Sequence, residues 1–332
     1  MTFSFSFDHQ PVRRAILLLA AATACMGVAA QTGSPTDKRP IRLVVPFGPG
    51  GVADLTARVV AQKMTETMGQ SIVVDNKPGA GGIVAADAVA KAPPDGNTLL
   101  LMSNGNAVSA GLFKSLPFDP VKSFTPVSML GTFDIAVVTG GKSRFKDIAS
   151  LLAYARANPG KLNIGTINIG STQHLAAELF KRSMGIDVTI VPFNSTSAVV
   201  SALQGDQVDA GVEILAPVLG HIAGHTLNAL AVMGEKRSPA LPSIPTVAES
   251  GAPQFNVASW NAFAAPANTP ADVIARLNKA TNAALNAPEV KARLLQLGVQ
   301  ASGGTPQAQA DFFAREIKRW SDVIQQAGIQ KQ

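Results

Sequence analysis

The stretch VVPFGPGGVADLTARVV, residues 44–60, decides the fold of this chain. It begins with a short apolar segment that runs into a Gly-Pro-Gly-Gly turn. After the turn, apolar residues recur at Val52, Leu55, Val59 and Met64. That spacing marks one helix face, so we predict a strand, a tight glycine loop and a helix. Such a loop presents unpaired backbone N–H groups and the positive end of a helix dipole, which suit an anion.

Residues 1–30 carry the features of an export signal. Arg13 and Arg14 precede an apolar run, and a Val-Ala-Ala tripeptide that ends at Ala30 offers small residues for cleavage. We predict cleavage near Ala30 and a periplasmic location. The only cysteine, Cys25, lies within this segment, so we expect no disulfides in the exported protein. The preceding residues depart from a lipoprotein signal, and lipidation of Cys25 is left open.

Composition bounds the class of protein. The chain has 332 residues, of which 46% are hydrophobic and 15% charged, which is typical of a soluble protein with a large core. The net charge of +6 is spread along the chain without a dense basic patch interleaved with aromatic residues. This pattern argues against a nucleic-acid partner and is compatible with a small anionic ligand.

Strands and helices alternate along most of the chain. The βαβαβ order that follows residue 39 predicts a parallel sheet with helices on both faces. Residues 124–140 supply two strand candidates, and a second α/β series follows them. We therefore predict an α/β protein with two lobes and a ligand cleft between them, at the carboxyl ends of the strands. The expected boundaries are 31–138 for lobe 1, 139–232 for lobe 2 and 233–332 for the return to lobe 1.

Seven segments follow one another in an order and spacing that point to one family. They are IRLVVPFGPGGVADLTAR, VVDNKPGAGGIVAADAVAKAPPDGNTLL, LPFDPVKSFTPVSML, ANPGKLNIG, GSTQHLAAELF, LPSIPTVAESG and FAAPANTPADVIARLN. Together they closely resemble the Bug-type extracytoplasmic solute receptors of tripartite tricarboxylate transporters. The resemblance covers residues 39–329.

This resemblance implies a fold and a function. The fold would be a two-lobed periplasmic binding protein with type II strand order. The receptor would be a monomer that closes on a small carboxylate or amino-acid ligand and delivers it to membrane transporter subunits. It would need no cofactor, no metal and no catalytic group.

The glycine loop after the first strand is the first candidate site. A phosphate-binding loop needs a lysine and a Ser or Thr after its last glycine, and this chain has Val52 there. With the resemblance, the main chain from Phe47 through Gly50 and Gly51 is expected to hold a ligand carboxylate. Asp54 lies in the first helical turn, where it either stabilises the helix or meets a ligand amine or water.

Polar residues follow two later strands. Ser103, Asn104 and Asn106 lie at the carboxyl end of one strand, where they either contact the ligand or cap the next helix. Thr166, Gly170, Ser171, Thr172 and His174 surround the start of another helix. In that group, His174 is equally compatible with packing against the sheet and with ligand contact.

Two departures from the family pattern add further candidates. Asn194 lies where the family carries a Tyr-Lys-Gly sequence, so a positive charge is lost. Glu213 follows Val212 where the family carries Phe-Asp or Phe-Asn. A buried carboxylate must be paired or hydrogen-bonded, so Glu213 either meets a ligand amino group or forms an internal pair.

Other chemistry finds little support in the sequence. The loop PGAGGIVA lacks the third glycine of a dinucleotide site, and Gly220 and Gly224 weaken the helix that would place His221 and His225 on one metal. Ser171 with His174 lacks an elbow motif and an evident orienting acid. A receptor is therefore the leading interpretation; the alternatives are an exported enzyme on the same scaffold and a sensor that presents its ligand to a signalling partner.

Overall fold

The computed structural model describes residues 1–4 and 39–332. The predicted cleavage site near Ala30 lies outside these residues. All the elements below belong to the unit Arg39–Gln332. The strands are β1 Ile41–Val45, β2 Ile72–Asn76, β3 Thr98–Ser103, β4 Phe124–Gly140, β5 Leu162–Ile167, β6 Val188–Phe193, β7 Ala210–Ile214, β8 Leu227–Val232, β9 Ala258–Pro266 and β10 Val299–Ala301. The α-helices are α1 Val52–Met68, α2 Ile83–Ala90, α3 Asn104–Leu112, α4 Ile148–Ala157, α5 Thr172–Ser183, α6 Thr196–Gln204, α7 Leu215–Ala223, α8 Ala271–Asn286, α9 Pro288–Gln296 and α10 Pro306–Gln326.

The strands pair in the order β2-β1-β3-β9-β4-β7-β5-β6, and both β8 and β10 pair with β4. In one region, β1 is parallel to β2 and β3, while β9 is antiparallel to β3. In the other region, β5 is parallel to β6 and β7. The order 2-1-3-9-4 agrees with the type II topology that the resemblance implies.

Strand β4 runs from one sheet region into the other. Its residues 124–134 pair with β9, and its residues 135–140 pair with β7 and β8. The expectation of two separate strands here is wrong, since a single strand covers the whole segment. On the return path, Met233 N–H donates to Ile135 O at 2.8 Å and Val257 N–H donates to Met233 O at 2.7 Å.

We call the part on the β1 side of this crossing the first lobe and the part on the β5 side the second lobe. In β4, the change of strand partner falls between Asp134 and Ile135. The boundary between residues 138 and 139 stays a prediction.

Helices cover both faces of the sheet. One buried cluster joins α1, α8 and α9 to β1 and β3, and includes Leu43, Val60 and Leu277. A larger cluster extends through both lobes and includes Trp260 and Trp320. Within residues 1–4 and 39–332, no helix combines the length and apolarity needed to cross a membrane.

Helix α1 forms where the sequence predicts it, but it buries a different face. Ala57, Val60 and Ala61 are buried together with Met64. Val52, Leu55 and Val59 are only partly buried. Of the four residues that indicated the helix, only Met64 points fully into the core.

Candidate functional site

Six helices begin directly after a strand or the loop that follows it. In the first lobe, α1, α2 and α3 follow β1, β2 and β3; in the second, α5, α6 and α7 follow β5, β6 and β7. Because the strands within each group are parallel neighbours, their carboxyl ends lie at one edge of each lobe. Each edge therefore gathers the positive ends of several helix dipoles.

The glycine loop after β1 leaves the start of α1 without a side-chain cap. Gly51 is the N-cap residue of α1, and no side chain hydrogen-bonds there. Phe47, Gly50 and Gly51 are exposed, and Gly50 has a φ of +89°, which favours glycine. The first turn of α1 thus has no side-chain acceptor at its N-cap and follows an exposed loop, which is the arrangement expected for an anion site.

Asp54 holds this loop in place. Its side chain is 1% exposed, and it accepts hydrogen bonds from Gly50 N–H at 2.9 Å, Arg58 Nε at 2.9 Å and Asn76 Nδ2 at 2.8 Å. Asn76 Nδ2 also donates to Phe47 O at 2.9 Å. Burial alone would raise the pKa of Asp54, but these hydrogen bonds outweigh it and hold the pKa below its usual value. Both oxygens are engaged, so Asp54 acts as the loop's internal anchor; its contact with a ligand stays a prediction.

Helix α3 begins with a capping arrangement and a long-range network. Asn106 Oδ1 accepts from Ser103 N–H at 2.9 Å, so Asn106 closes the first turn. Asn104 Oδ1 accepts from the indole N–H groups of Trp260 at 3.1 Å and Trp320 at 2.7 Å. Both indoles also lie within hydrogen-bond distance of Glu316 Oε2. Ser103, Asn104 and Asn106 are buried.

Asn104 also connects the two lobes. Its Nδ2 donates to Thr172 Oγ1 in α5 at 2.9 Å. Nearby, Gly170 has a φ of +81°, and a Cβ atom placed on it would lie 2.5 Å from Leu112 Cδ2. The start of α5 in the second lobe therefore lies directly against α3 of the first.

The loop between β5 and α5 gathers most of the other predicted residues. Ser171 is the N-cap of α5: its Oγ accepts from His174 N–H at 3.1 Å and donates to Ile167 O at 2.9 Å. His174 is buried, its Nδ1 accepts from Gly170 N–H at 3.5 Å, and burial lowers its pKa. Thr166 is fully buried, and its Oγ1 lacks a hydrogen-bond partner in the described part of the chain.

Glu213 lies at the carboxyl end of β7, between the starts of α5 and α6. Its Oε2 accepts from Thr196 Oγ1 at 2.9 Å and from Gln173 Nε2 at 3.4 Å. Oε1 is buried and has no hydrogen-bond partner among residues 39–332. Burial raises the pKa of Glu213 to about 7, against the opposing effect of these hydrogen bonds. Asn194, by contrast, is exposed just before α6.

Several residues of this arrangement could not be predicted from the sequence. Trp260 and Trp320, which both donate to Asn104, are not among the candidate residues proposed from the sequence. Gln173 and Thr196 stand beside predicted residues but carry no motif of their own. Partners separated by 17 to 216 positions in the chain meet only after folding, so no local pattern could identify them.

A separate cavity of about 310 Å³ lies beside the change of partner in β4. Among the residues that line it are Thr132, Asp134, Lys236, Gln300 and Arg319. None of the predicted ligand residues lines it. Within the described ranges, no group of three or more His, Cys, Asp or Glu side chains is placed to hold a metal ion.

The two α/β lobes are joined by β4 and a return segment. They meet where helices begin, at the starts of α3 and α5. This architecture is that of a solute-binding protein. Comparison with known proteins identifies the family. Residues 56–329 match the family described as tripartite tricarboxylate transporter family receptor. The chain belongs to this family.

Individual relatives agree with this assignment. Protein BugT of Bordetella pertussis is 36% identical over 318 residues, which cover 95% of this chain and 98% of that protein. The structure of periplasmic binding protein BugD has a TM-score of 0.76 at 32% identity and covers 89% of this chain and 99% of its own. An R. palustris protein solved with adipate has a TM-score of 0.79 at 34% identity with the same coverage. The predicted fold class, family and receptor function are confirmed, and a receptor rather than an enzyme is what the family defines.

Proposed function

We propose that this receptor captures a small carboxylate between its lobes. The observation that carries the proposal is the start of α1, which has no side-chain cap and where a Cβ atom added at Gly51 would meet nothing within 4 Å. Asp54 fixes that loop from behind while Arg58 balances its charge. The related R. palustris protein was solved with adipate, a dicarboxylate, which supports the same ligand class here.

The finer parts of the proposal follow from the family. Cleavage near Ala30 would release a monomeric receptor into the periplasm, and its closed form would deliver the ligand to the membrane subunits of a tripartite transporter. The contacts would come from the helix starts of both lobes, with Ser171, Thr172 and Asn194 on the second. Ligand binding would use hydrogen bonds from main-chain N–H groups to the charged carboxylate, which are among the stronger kinds.

Thermal unfolding against a panel of mono- and dicarboxylates, adipate among them, tests the proposal. A ligand at 100 times its Kd adds about 2.7 kcal/mol of stability, which corresponds to a rise in Tm of about 5 °C. We expect such a rise for one class of carboxylates, with the ligand recovered unchanged. Absence of any rise across the panel would contradict a carboxylate receptor.

A pair of variants tests whether the glycine loop holds the ligand. Gly51→Leu adds a bulky side chain at the N-cap of α1, where a Cβ atom meets nothing within 4 Å. It should remove the ligand-induced rise without lowering the Tm of the free protein by more than a few degrees. Gly220→Leu, at an equally open glycine in α7, is the matched control and should keep the rise. Equal responses of the two variants would remove the glycine loop from the site.

A further inference from the structure

Glu213 is a carboxyl group of the second lobe with hydrogen-bond donors on only one of its two oxygens. Its side chain is 0% exposed. Oε2 has the two donors described above, whereas Oε1 is without a hydrogen-bond partner in the described residues. A buried oxygen without a donor is unfavourable, and such groups in folded proteins call for an explanation.

The position of Glu213 connects it with the proposed ligand cleft. Gln173 is the second residue of α5 and Thr196 is the first residue of α6, so Glu213 lies among the first turns of both helices. Thr172, which neighbours Gln173 in the chain, accepts the hydrogen bond from Asn104 of the first lobe. Glu213 therefore hydrogen-bonds to the residue that follows the contact between the lobes in α5.

The surroundings of Glu213 do not supply a compensating charge. Beside β7 pack β4, β5 and the helices α5, α6 and α7. The titratable or charged side chains of these elements are Asp134, His174, Glu178, Lys181, Arg182 and His221. The pKa of Glu213 follows from burial, opposed by the hydrogen bonds from Thr196 and Gln173 and, more weakly, by the nearby N–H of Ile214, which does not reach hydrogen-bonding geometry with Oε1. A carboxyl group in this state titrates near neutral pH and responds strongly to a charge brought beside it.

We propose that Oε1 of Glu213 receives the ammonium group of the ligand, which makes this receptor selective for an amino acid over the same acid without its amino group. The inference rests on the proposed function, because the ligand's carboxylate is assigned to the helix starts. An ammonium group supplies the missing hydrogen-bond donor and the missing positive charge together. A ligand hydroxyl would supply only the donor.

Proton exchange on binding distinguishes this assignment from its main rival. With a pKa of about 7, Glu213 is partly protonated at pH 7. An ammonium group beside it favours the carboxylate, so binding releases protons. A second ligand carboxylate at the same place would favour the protonated acid, and binding would take up protons.

Isothermal titration calorimetry at pH 7 in MOPS and in imidazole measures this exchange. The ligand-free protein is titrated with three matched pairs: L-glutamate and glutarate, L-leucine and 4-methylpentanoate, L-phenylalanine and 3-phenylpropanoate. In the pair that fits the cleft, we expect the amino acid to bind about 10- to 100-fold more tightly than its partner and to release protons.

Two variants assign the effect to Glu213. Glu213→Gln keeps the shape but cannot ionise, so the preference for the amino acid and the proton release should both disappear. Loss of the release in this variant also excludes His174 as its source. Asp134→Asn, at a buried carboxyl whose pKa is likewise raised by burial, should retain both properties.

The outcomes separate this inference from the proposed function. Equal affinity within the pairs, proton uptake, or a Glu213→Gln variant that keeps the preference would overturn the role of Glu213 while carboxylate binding stands. Failure of all six compounds and of the wider carboxylate panel would overturn the proposed function, and the inference with it.

Discussion

Asp54 and Glu213 are both buried carboxyl groups at the start of a helix or the end of a strand, yet their surroundings shift their pKa values in opposite directions. Asp54 has an ion pair with Arg58 at 2.9 Å and two further donors, so its pKa is lowered. Glu213 has two neutral side-chain donors and one unpaired oxygen, so burial dominates and its pKa rises to about 7. We conclude that Asp54 stays ionised as an anchor of the loop, whereas Glu213 is a group whose charge would respond to a charged group brought beside it.

The raised pKa of Glu213 makes stability depend on pH. In the folded protein the group keeps its proton up to about pH 7, whereas in the unfolded chain it loses it near pH 4.5. Between these values the folded state binds more protons, so the free energy of unfolding falls as the pH rises. Relative to Glu213→Gln, the wild type should lose up to about 3 kcal/mol from pH 4.5 to pH 8. Urea unfolding of both proteins across this range measures the difference, and parallel pH profiles would contradict it.

Individual residues also show which contacts of the candidate site could be predicted from the sequence. The capping option for Asn106 and the helix-stabilising option for Asp54 depend on partners three or four positions away, which a local pattern can indicate. The tryptophan partners of Asn104 lie 156 and 216 positions away, so its central place in the network could not be derived from its neighbours. For Glu213, the sequence left a ligand contact or an internal pair open, and the structure adds neutral donors and one unpaired oxygen.

Helix α1 illustrates what apolar periodicity can and cannot predict. Its apolar residues correctly indicated a helix, but the buried side is built largely from Ala57, Val60 and Ala61. Small residues pack against the apolar cluster of α8, which contains Leu277. Alanine contributes little to an apolar pattern, although its small side chain permits close packing of helices. The buried face predicted for α1 therefore differs from the observed one. The same limit applies to β4, where the sequence cannot show that one strand continues into a second sheet region.

The loop that enters α5 has a geometry that only glycine fits at one position. Gly170→Ala would place a Cβ atom 2.5 Å from Leu112 Cδ2 at a φ of +81°. We expect the free energy of unfolding to fall by about 1–3 kcal/mol, because alanine is strained at this φ and either the Leu112 side chain or the loop must shift. We also expect ligand affinity to fall several-fold, because this loop contacts α3 at the meeting of the lobes. Chemical denaturation and calorimetry measure the two effects.

A second glycine provides the control for this prediction. Gly185 has a φ of +60° but meets nothing within 4 Å, so Gly185→Ala introduces backbone strain without the contact. It should lose about 1 kcal/mol of stability and no ligand affinity. If both variants bound ligand as the wild type does, the contact between the α5 loop and α3 would have no role in binding.

For the molecule as a whole, the family and the two-lobed α/β architecture were predictable because they depend on many motifs in sequence. The contact between the lobes was not, because it depends on one amide and one hydroxyl that are 68 positions apart. Asn104 is held by two buried indoles on one side and donates to Thr172 on the other. The structure thus joins the core of the first lobe to the start of α5 in the second.

This contact predicts how the lobes respond to its loss. Thr172→Val keeps the shape of the side chain but removes the acceptor for Asn104 Nδ2, which weakens the contact between the lobes by about 0.5–1.5 kcal/mol. The population with this contact formed should therefore fall by about 2- to 10-fold in the ligand-free protein, and ligand affinity should fall by a similar factor if binding requires the contact. The exposed Thr189→Val in β6 is the matched control and should change neither quantity.

Because the only cysteine lies in the predicted export signal, spin labels at Val121→Cys and Arg182→Cys can report the distance between the lobes by electron paramagnetic resonance. Longer distances in ligand-free Thr172→Val, restored by saturating ligand, would establish the contact as a latch; an unchanged distance distribution with weakened binding would show instead that Thr172 acts on the ligand alone.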